Sequence, residues 1–234
     1  ATVVIATGRR WPTAIRVIEP LEACEFLIQS NGAAVRRVAD KAVLKSQFIP
    51  HDVAAGLFDL LRARGLIGVW YDTPGRSHKL FVDGDLSANR QLQMYSSSNP
   101  TAFVRLDGFD RLADAMQLLI FGDEPPIRAA LNELETTHSD TVRVIPWQSP
   151  RLGGLVLEVL TRNASKGSAL AWLARHLGVG RDRVIAVGDD INDVEMLKWA
   201  GQGVAMGNGS APAKLAADFE IGPVDQGGLA AYLD

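Results

Sequence analysis

Val184-Ile185-Ala186-Val187-Gly188-Asp189-Asp190-Ile191-Asn192-Asp193-Val194-Glu195-Met196-Leu197 runs from an unbroken apolar segment through one glycine into three carboxylates and an amide within five residues. A short continuous apolar run of this kind reads as a strand buried on both faces of a parallel sheet. In open parallel sheets ligands bind beyond the carboxyl ends of the strands, so the polar residues after Val187 are candidates for chemistry. Carboxylates packed this closely repel one another unless a cation neutralises them. Mg²⁺ favours one or two carboxylates together with water and phosphate oxygens. The plainer alternative is that Asp189 and Asp190 cap the next helix and favour its dipole. Asn192 and Asp193 exceed what a cap requires.

The same pattern recurs on either side. Val3–Ala6, Phe26–Ile28 and Gly203–Met206 are apolar runs ending near Gly, Asn or Thr, and the alternation with helical patterns predicts parallel β-α-β units. Lys166–Leu177 carries Leu170, Leu173, Ala174 and Leu177 on one stripe, with Ser165 placed to cap it and Gly178 to end it. The middle reads differently. Asp52–Arg64 is an amphipathic helix, and Ile67–Tyr71 and Lys79–Val82 alternate like antiparallel strands around a Pro74-Gly75 turn. Leu86–Pro100 is polar, with Ser96–Pro100 as a loop. Gln117–Phe121, Thr141–Pro146 and Gly154–Leu160 are further strands, and Pro126–Thr136 a helix. The expected fold is therefore α/β. A Rossmann-like parallel-sheet core (residues 1–41 and 154–234) is interrupted by an inserted α+β module at 42–153.

Composition narrows the function classes. Of 234 residues 47% are hydrophobic and 22% charged, the balance of a globular protein with a real core. A net charge of −3 offers no electrostatic footprint for nucleic acid or an anionic membrane. No apolar run approaches the ~20 residues that span a bilayer. Ala1–Ala6 lacks the basic flank and cleavage site of a leader and reads as a strand. Cys24 is the only cysteine, so no intrachain disulfide can form, and a reducing cytoplasm is the expected compartment. Any metal site must be built from oxygen ligands.

Three other run-ends carry chemistry. Thr7-Gly8-Arg9 follows Val3–Ala6, and a hydroxyl with approachable backbone amides there forms an anion site; taken alone, Thr7 reads first as an ordinary N-cap. In Asn163-Ala164-Ser165-Lys166-Gly167 a lysine opposes the helix dipole, which costs stability unless an anion lies nearby. It suits a phosphate clamp, although a solvated lysine reads equally well. Ser30-Asn31-Gly32-Ala33 is first of all a turn signal.

Taken in order, these segments resemble the haloacid dehalogenase superfamily, and within it the Cof-like phosphatases. Ala6-Thr7-Gly8-Arg9 resembles the second motif, Asn31-Gly32-Ala33 the signature before the cap, Lys166 the third-motif lysine, and Gly188–Asp193 the fourth motif. Gly203–Asn208 and Asp225–Leu229 look like the C-terminal signature. The resemblance implies a Mg²⁺-dependent hydrolase of small phosphate esters, with an inserted cap closing over the site. It implies Asp189 as metal ligand, with Asn192 ordering the metal's waters or the phosphate. Thr7 and Lys166 act on the phosphoryl group, Asp193 holds Lys166, and Gly8, Arg9 and Asn31 border the substrate. Trp70, Tyr71 and His78 are possible specificity contacts, though packing suits the aromatics better.

The family's first motif, Asp-x-Asp-Gly-Thr, carries the nucleophile one β-α unit before the Thr7 strand, hence upstream of residue 1. A chain without it is expected to be inactive, and to leave a raw apolar edge beside that strand. Asp83-Gly84-Asp85 falls inside the insertion and reads as a turn. The alternatives are a specialised mannosyl-3-phosphoglycerate or sucrose phosphatase, or an inactive phosphate-binding scaffold. The particular ester and the oligomeric state are not legible.

Overall fold

The computed structural model describes residues 1–74, 76–149 and 151–234, which fall into two compact units: Ala1–Leu44 with Ala164–Asp234, and Lys45–Asn163. The chain opens with β1 (Val3–Ala6), α1 (Trp11–Ile18), β2 (Cys24–Gln29), β3 (Ala34–Arg37) and β4 (Val43–Ser46). Pro12 sits in the first turn of α1, where its missing N–H costs nothing. β1 runs parallel to β2, with Val4 opposite Phe26 and Ala6 opposite Ile28, while β3 turns back antiparallel.

The second unit contains α2 (His51–Ala63), β5 (Ile67–Tyr71), β6 (Leu80–Val82), α3 (Arg90–Ser97), β7 (Phe103–Arg105), β8 (Gln117–Phe121), α4 (Glu124–Thr137), β9 (Val142–Ser149) and β10 (Gly154–Thr161). They form one sheet in the order β7-β6-β5-β8-β10-β9, antiparallel except for the β6–β7 pair. Period-2 alternation sends Trp70, Leu118, Ile120, Leu155, Leu157 and Val159 to one face, where they bury the apolar stripes of α2 and α4.

Two sequence expectations are corrected here. The 153/154 boundary would give Gly154–Leu160 to the core, yet β10 pairs with β8 and β9 in the inserted sheet. The glycines at 153 and 154 turn a hairpin rather than separate domains: Gly153 (φ 77°) donates its N–H to Ser149 O. Ser96–Pro100 was expected as a loop, but Ser96 and Ser97 finish α3. Asn89 caps that helix through Leu92 N, and both serine hydroxyls bond back to Gln93 O, the helix-compatible use of a short hydroxyl. The Pro74-Gly75 turn includes Gly75, which lies outside the described residues.

The chain then re-enters the first unit with α5 (Lys166–His176), β11 (Ile185–Gly188), α6 (Val194–Trp199), β12 (Gln202–Met206), α7 (Ala211–Ala216), β13 (Phe219–Ile221) and α8 (Gly228–Leu233). β11, β12 and β13 are all parallel. One apolar cluster joins this sheet to the first: Phe26 and Ile28 of β2 pack with Leu170 and Leu173 of α5, Ala186 of β11 and Leu197 of α6. Among the described residues β1 has only β2 as a neighbour, and β11 only β12. Both strands accordingly expose apolar side chains, Val3 at 39% and Ile185 at 57%. No helix of the described residues is long and apolar enough to cross a membrane.

Candidate active site

The tips after β1, β2 and β11 and the start of α5 are tied by an unbroken series of hydrogen bonds. Thr7 N donates to Ile28 O at 2.9 Å, and Asn31 N donates to Thr7 O at 3.1 Å. The Thr7 hydroxyl accepts from Arg9 N at 3.1 Å, which folds the Thr7-Gly8-Arg9 turn onto itself. A Cβ on Gly8 would stand 3.1 Å from Asn31 Nδ2, so this turn passes close against the buried asparagine. Asn31 Oδ1 in turn accepts from Asn192 Nδ2 at 2.9 Å.

Asn192 belongs to a 3-10 turn, Ile191–Asp193, that leads into α6. Asp190 rather than Asp189 is its cap: Asp190 Oδ1 accepts from Ile191 N at 2.7 Å. Of Asp189 and Asp190 only the latter caps, and Asp193 is its reciprocal partner in a capping box. Asp193 answers from the other end, its Oδ2 accepting from Asp189 N at 3.0 Å and Asp190 N at 3.1 Å. Its Oδ1 accepts from Lys166 Nζ at 2.7 Å, and both residues are almost sealed from water, with side chains 5% and 8% exposed. Lys166 lies in the first turn of α5, where Ser165 and Ser168 form a reciprocal capping box. Gly188 and Gly167 make the close approaches possible: a Cβ would come within 2.5 Å of Asp193 Cβ at the first and 2.7 Å of the Glu195 carbonyl carbon at the second.

Asp189 is exposed as a residue, yet its carboxyl is pushed up from the ordinary aspartate value. Loss of water around it is the main cause, followed by the charges of Asp193 and Asp190, against the pull of Lys166. Asn192 Oδ1 is buried with no partner among the described residues, a condition that a ligand or a metal-bound water would relieve. Among the described residues no three His, Cys, Asp or Glu side chains group as a metal site. A carboxylate and an orphaned amide oxygen three residues apart on one loop fit the protein's share of a Mg²⁺ shell, since that ion keeps several waters and needs few protein ligands.

Thr7, Gly8, Asn31, Lys166, Asp189, Asn192 and Asp193 are thus brought together, whereas Arg9 is exposed with only its backbone in this network. Sequence reasoning missed Ser210, whose N–H donates to Asp189 O at 2.7 Å, and Gly209, which packs on the Asp189 backbone. The Gly-Asn-Gly-Ser run after β12 was the available signal. In the second unit, Trp70 lies in the apolar core between Phe109 and Phe58, and Tyr71 is buried with its hydroxyl on that of Tyr95. Asp83-Gly84-Asp85 is a turn, with Asp85 capping Ser87 N.

A family model for haloacid dehalogenase-like hydrolases matches residues 1–233. The chain is 26% identical to "5-amino-6-(5-phospho-D-ribitylamino)uracil phosphatase YitU" of Bacillus subtilis (strain 168), over 99% of this chain and 83% of that protein. It is 28% identical to "Phosphatase YwpJ" of the same organism, over 97% and 85% respectively. A crystal structure of a haloacid dehalogenase-like hydrolase from Bacteroides thetaiotaomicron superposes with a TM-score of 0.79 at 27% identity, covering 98% of this chain and 84% of that one. The chain belongs to the haloacid dehalogenase-like hydrolases, in their Cof-like phosphatase branch.

Proposed function

We propose that the protein is a Mg²⁺-dependent phosphatase of small phosphomonoesters, sugar phosphates or similar, working through an aspartyl-phosphate whose nucleophile lies upstream of residue 1. The observation that carries this reading is the hydrogen-bonded series from Thr7 through Asn31, Asn192 and Asp193 to Lys166, at the carboxyl ends of β1, β2 and β11. Two relatives are named for a phosphorylated ribityl substrate, which supports a polyol or sugar phosphate. β1 and β11, each with one strand neighbour among the described residues and an exposed apolar side chain, support a further strand that brings the nucleophile between Thr7 and Asp189.

In this mechanism the upstream carboxylate forms a bond to phosphorus as the ester P–O bond breaks and the leaving alkoxide gains a proton. Water then attacks the acyl phosphate and releases inorganic phosphate, so one hard displacement becomes two easier ones. The Thr7 hydroxyl donates to a phosphoryl oxygen. Lys166, held in line by Asp193, neutralises charge that grows in both transition states. Asp189 and the Asn192 side-chain oxygen would hold the cation, which when bound would supply charge neutralisation at the phosphoryl oxygens.

Hydrolysis of p-nitrophenyl phosphate by the full-length protein tests this. Turnover should depend on added Mg²⁺ and fall at least about a hundredfold in Lys166→Ala and Asp189→Asn. Activity that survives chelation or either substitution undiminished would refute the reading and leave the scaffold alternative.

A further inference from the structure

We propose that Asn31 is a positioning residue: it locks the Thr7 tip to the Asn192 tip and sets which end of the Asn192 amide is presented to the site. The proposal rests on the phosphatase reading above. Ser30, Asn31 and Gly32 take three successive left-handed conformations, with φ of 46°, 52° and 96°. Two of the three carry side chains, which rarely adopt this region. A turn like this persists only when its surroundings over-determine it, and here every side is fixed. Ser30 N donates to Arg9 O at 3.1 Å and Asn31 N to Thr7 O at 3.1 Å. A Cβ on Gly32 would collide with the Ser165 carbonyl at the cap of α5. Behind the turn, Gln29 Oε1 accepts from Arg36 Nε at 3.1 Å, and the Arg36 guanidinium lies 4.7 Å from the centre of the Trp11 ring.

Asn31 itself is 2% exposed, which suits a strut better than a substrate contact. Its side-chain oxygen accepts from Asn192 Nδ2, and the consequence is chemical. With one amide N–H held on Asn31, the Asn192 amide is fixed against a flip, and its oxygen is the atom left buried without a partner among the described residues. An acceptor there suits a cation or its waters; a donor would suit phosphate instead. Asn31 thereby sets the orientation of the Asn192 amide, and through its own N–H it holds the Thr7 carbonyl in register with it.

The test is a double-mutant cycle in the full-length protein, read both as Mg²⁺-dependent p-nitrophenyl phosphate hydrolysis and as Mg²⁺ affinity in calorimetry, which Asn31→Gly should weaken. Asn31→Gly tolerates the left-handed backbone and keeps the N–H to Thr7, but loses the bond to Asn192. It should lower kcat about 10- to 100-fold with KM little changed, as misplacement does. Because Asn31 acts through Asn192, Asn31→Gly/Asn192→Ala should fall within about threefold of the worse single variant. Asn31→Asp keeps an oxygen for Asn192 and should lose less than Asn31→Gly. Fully additive losses, or a loss confined to KM, would overturn the proposal. If the glycine variant does not fold, Asn31→Asp, which also tolerates the left-handed backbone, takes its place in the cycle, and its loss should likewise vanish once Asn192 is alanine. A wild-type protein without metal-dependent turnover would sink the phosphatase reading and this proposal with it; an active wild type with additive variants sinks this proposal alone.

Discussion

The Lys166 ammonium stands 2.7 Å from the Asp193 carboxylate, and this pair joins the start of α5 to the turn after β11 with almost no access to water. Two charges taken out of water are stable only as a pair, because either one left alone keeps the whole desolvation cost. Asp193 has a second task, holding the Asp189 and Asp190 amides, so the ion pair and the shape of the acidic loop are one structure.

Removing one member should therefore harm the fold as well as the chemistry. Lys166→Met leaves Asp193 buried and unpaired, and should lower unfolding free energy by about 3–5 kcal/mol in chemical denaturation. The double variant Lys166→Met/Asp193→Leu should recover part of that stability without recovering activity. A lysine variant as stable as wild type would show that Asp193 is not compensated by Lys166.

Glycine substitutions separate conformational strain from collision. Gly65 has φ 68° with open space around it, so Gly65→Ala should cost about 1 kcal/mol. Gly32→Ala meets both a φ of 96° and the Ser165 carbonyl, and should cost at least about 3 kcal/mol more. Thermal unfolding of the two variants side by side gives the comparison.

Cys24 is 6% exposed, and burial pushes its thiol above the ordinary value, with the bonds to backbone Ile5 and Phe26 opposing. The folded protein thus keeps the thiol proton at pH values where the unfolded chain has lost it. The resulting stability is complete below the unfolded value of ~8.5 and is lost as pH rises through the folded value. A thiol reagent at pH 8 should react slowly with the native protein and at once in denaturant. Rapid native labelling would contradict the burial of this strand.

Strand runs such as Val3–Ala6 and Ile67–Tyr71 were legible because continuous or alternating apolar residues leave one periodicity open. The site loops were legible because acidic, hydroxyl and amide groups at strand ends have few structural uses. α3 was not, since its serines favour turns until Asn89 caps the helix and Gln93 O accepts their hydroxyls. The place of β10 was hidden by the adjacent glycines at 153 and 154, which punctuate a hairpin and a domain boundary alike. Nor could the sequence reveal that Asp190 caps while Asp189 does not. That division depends on how Asp193 folds back across four residues, a tertiary fact.

Mg²⁺ binding should fail before the fold does when the acidic loop is altered. Asp189→Asn removes the charge from the carboxylate outside the cap and should abolish Mg²⁺ binding in calorimetry while leaving the unfolding midpoint within about 3 °C. Asp190→Asn, which keeps a capping oxygen, should bind the ion within about tenfold of wild type. Equal losses from both would remove Asp189 from its special position.

The account turns on one phosphoryl group being held by groups from three tips. A crystal structure of the full-length protein with Mg²⁺ and orthovanadate measures this most directly. One vanadate with an oxygen within about 3 Å of both the Thr7 hydroxyl and the Lys166 ammonium, and the cation on Asp189, is the predicted result. Vanadate bound away from Thr7 and Lys166, or a cation that leaves Asp189 uncoordinated, would contradict it.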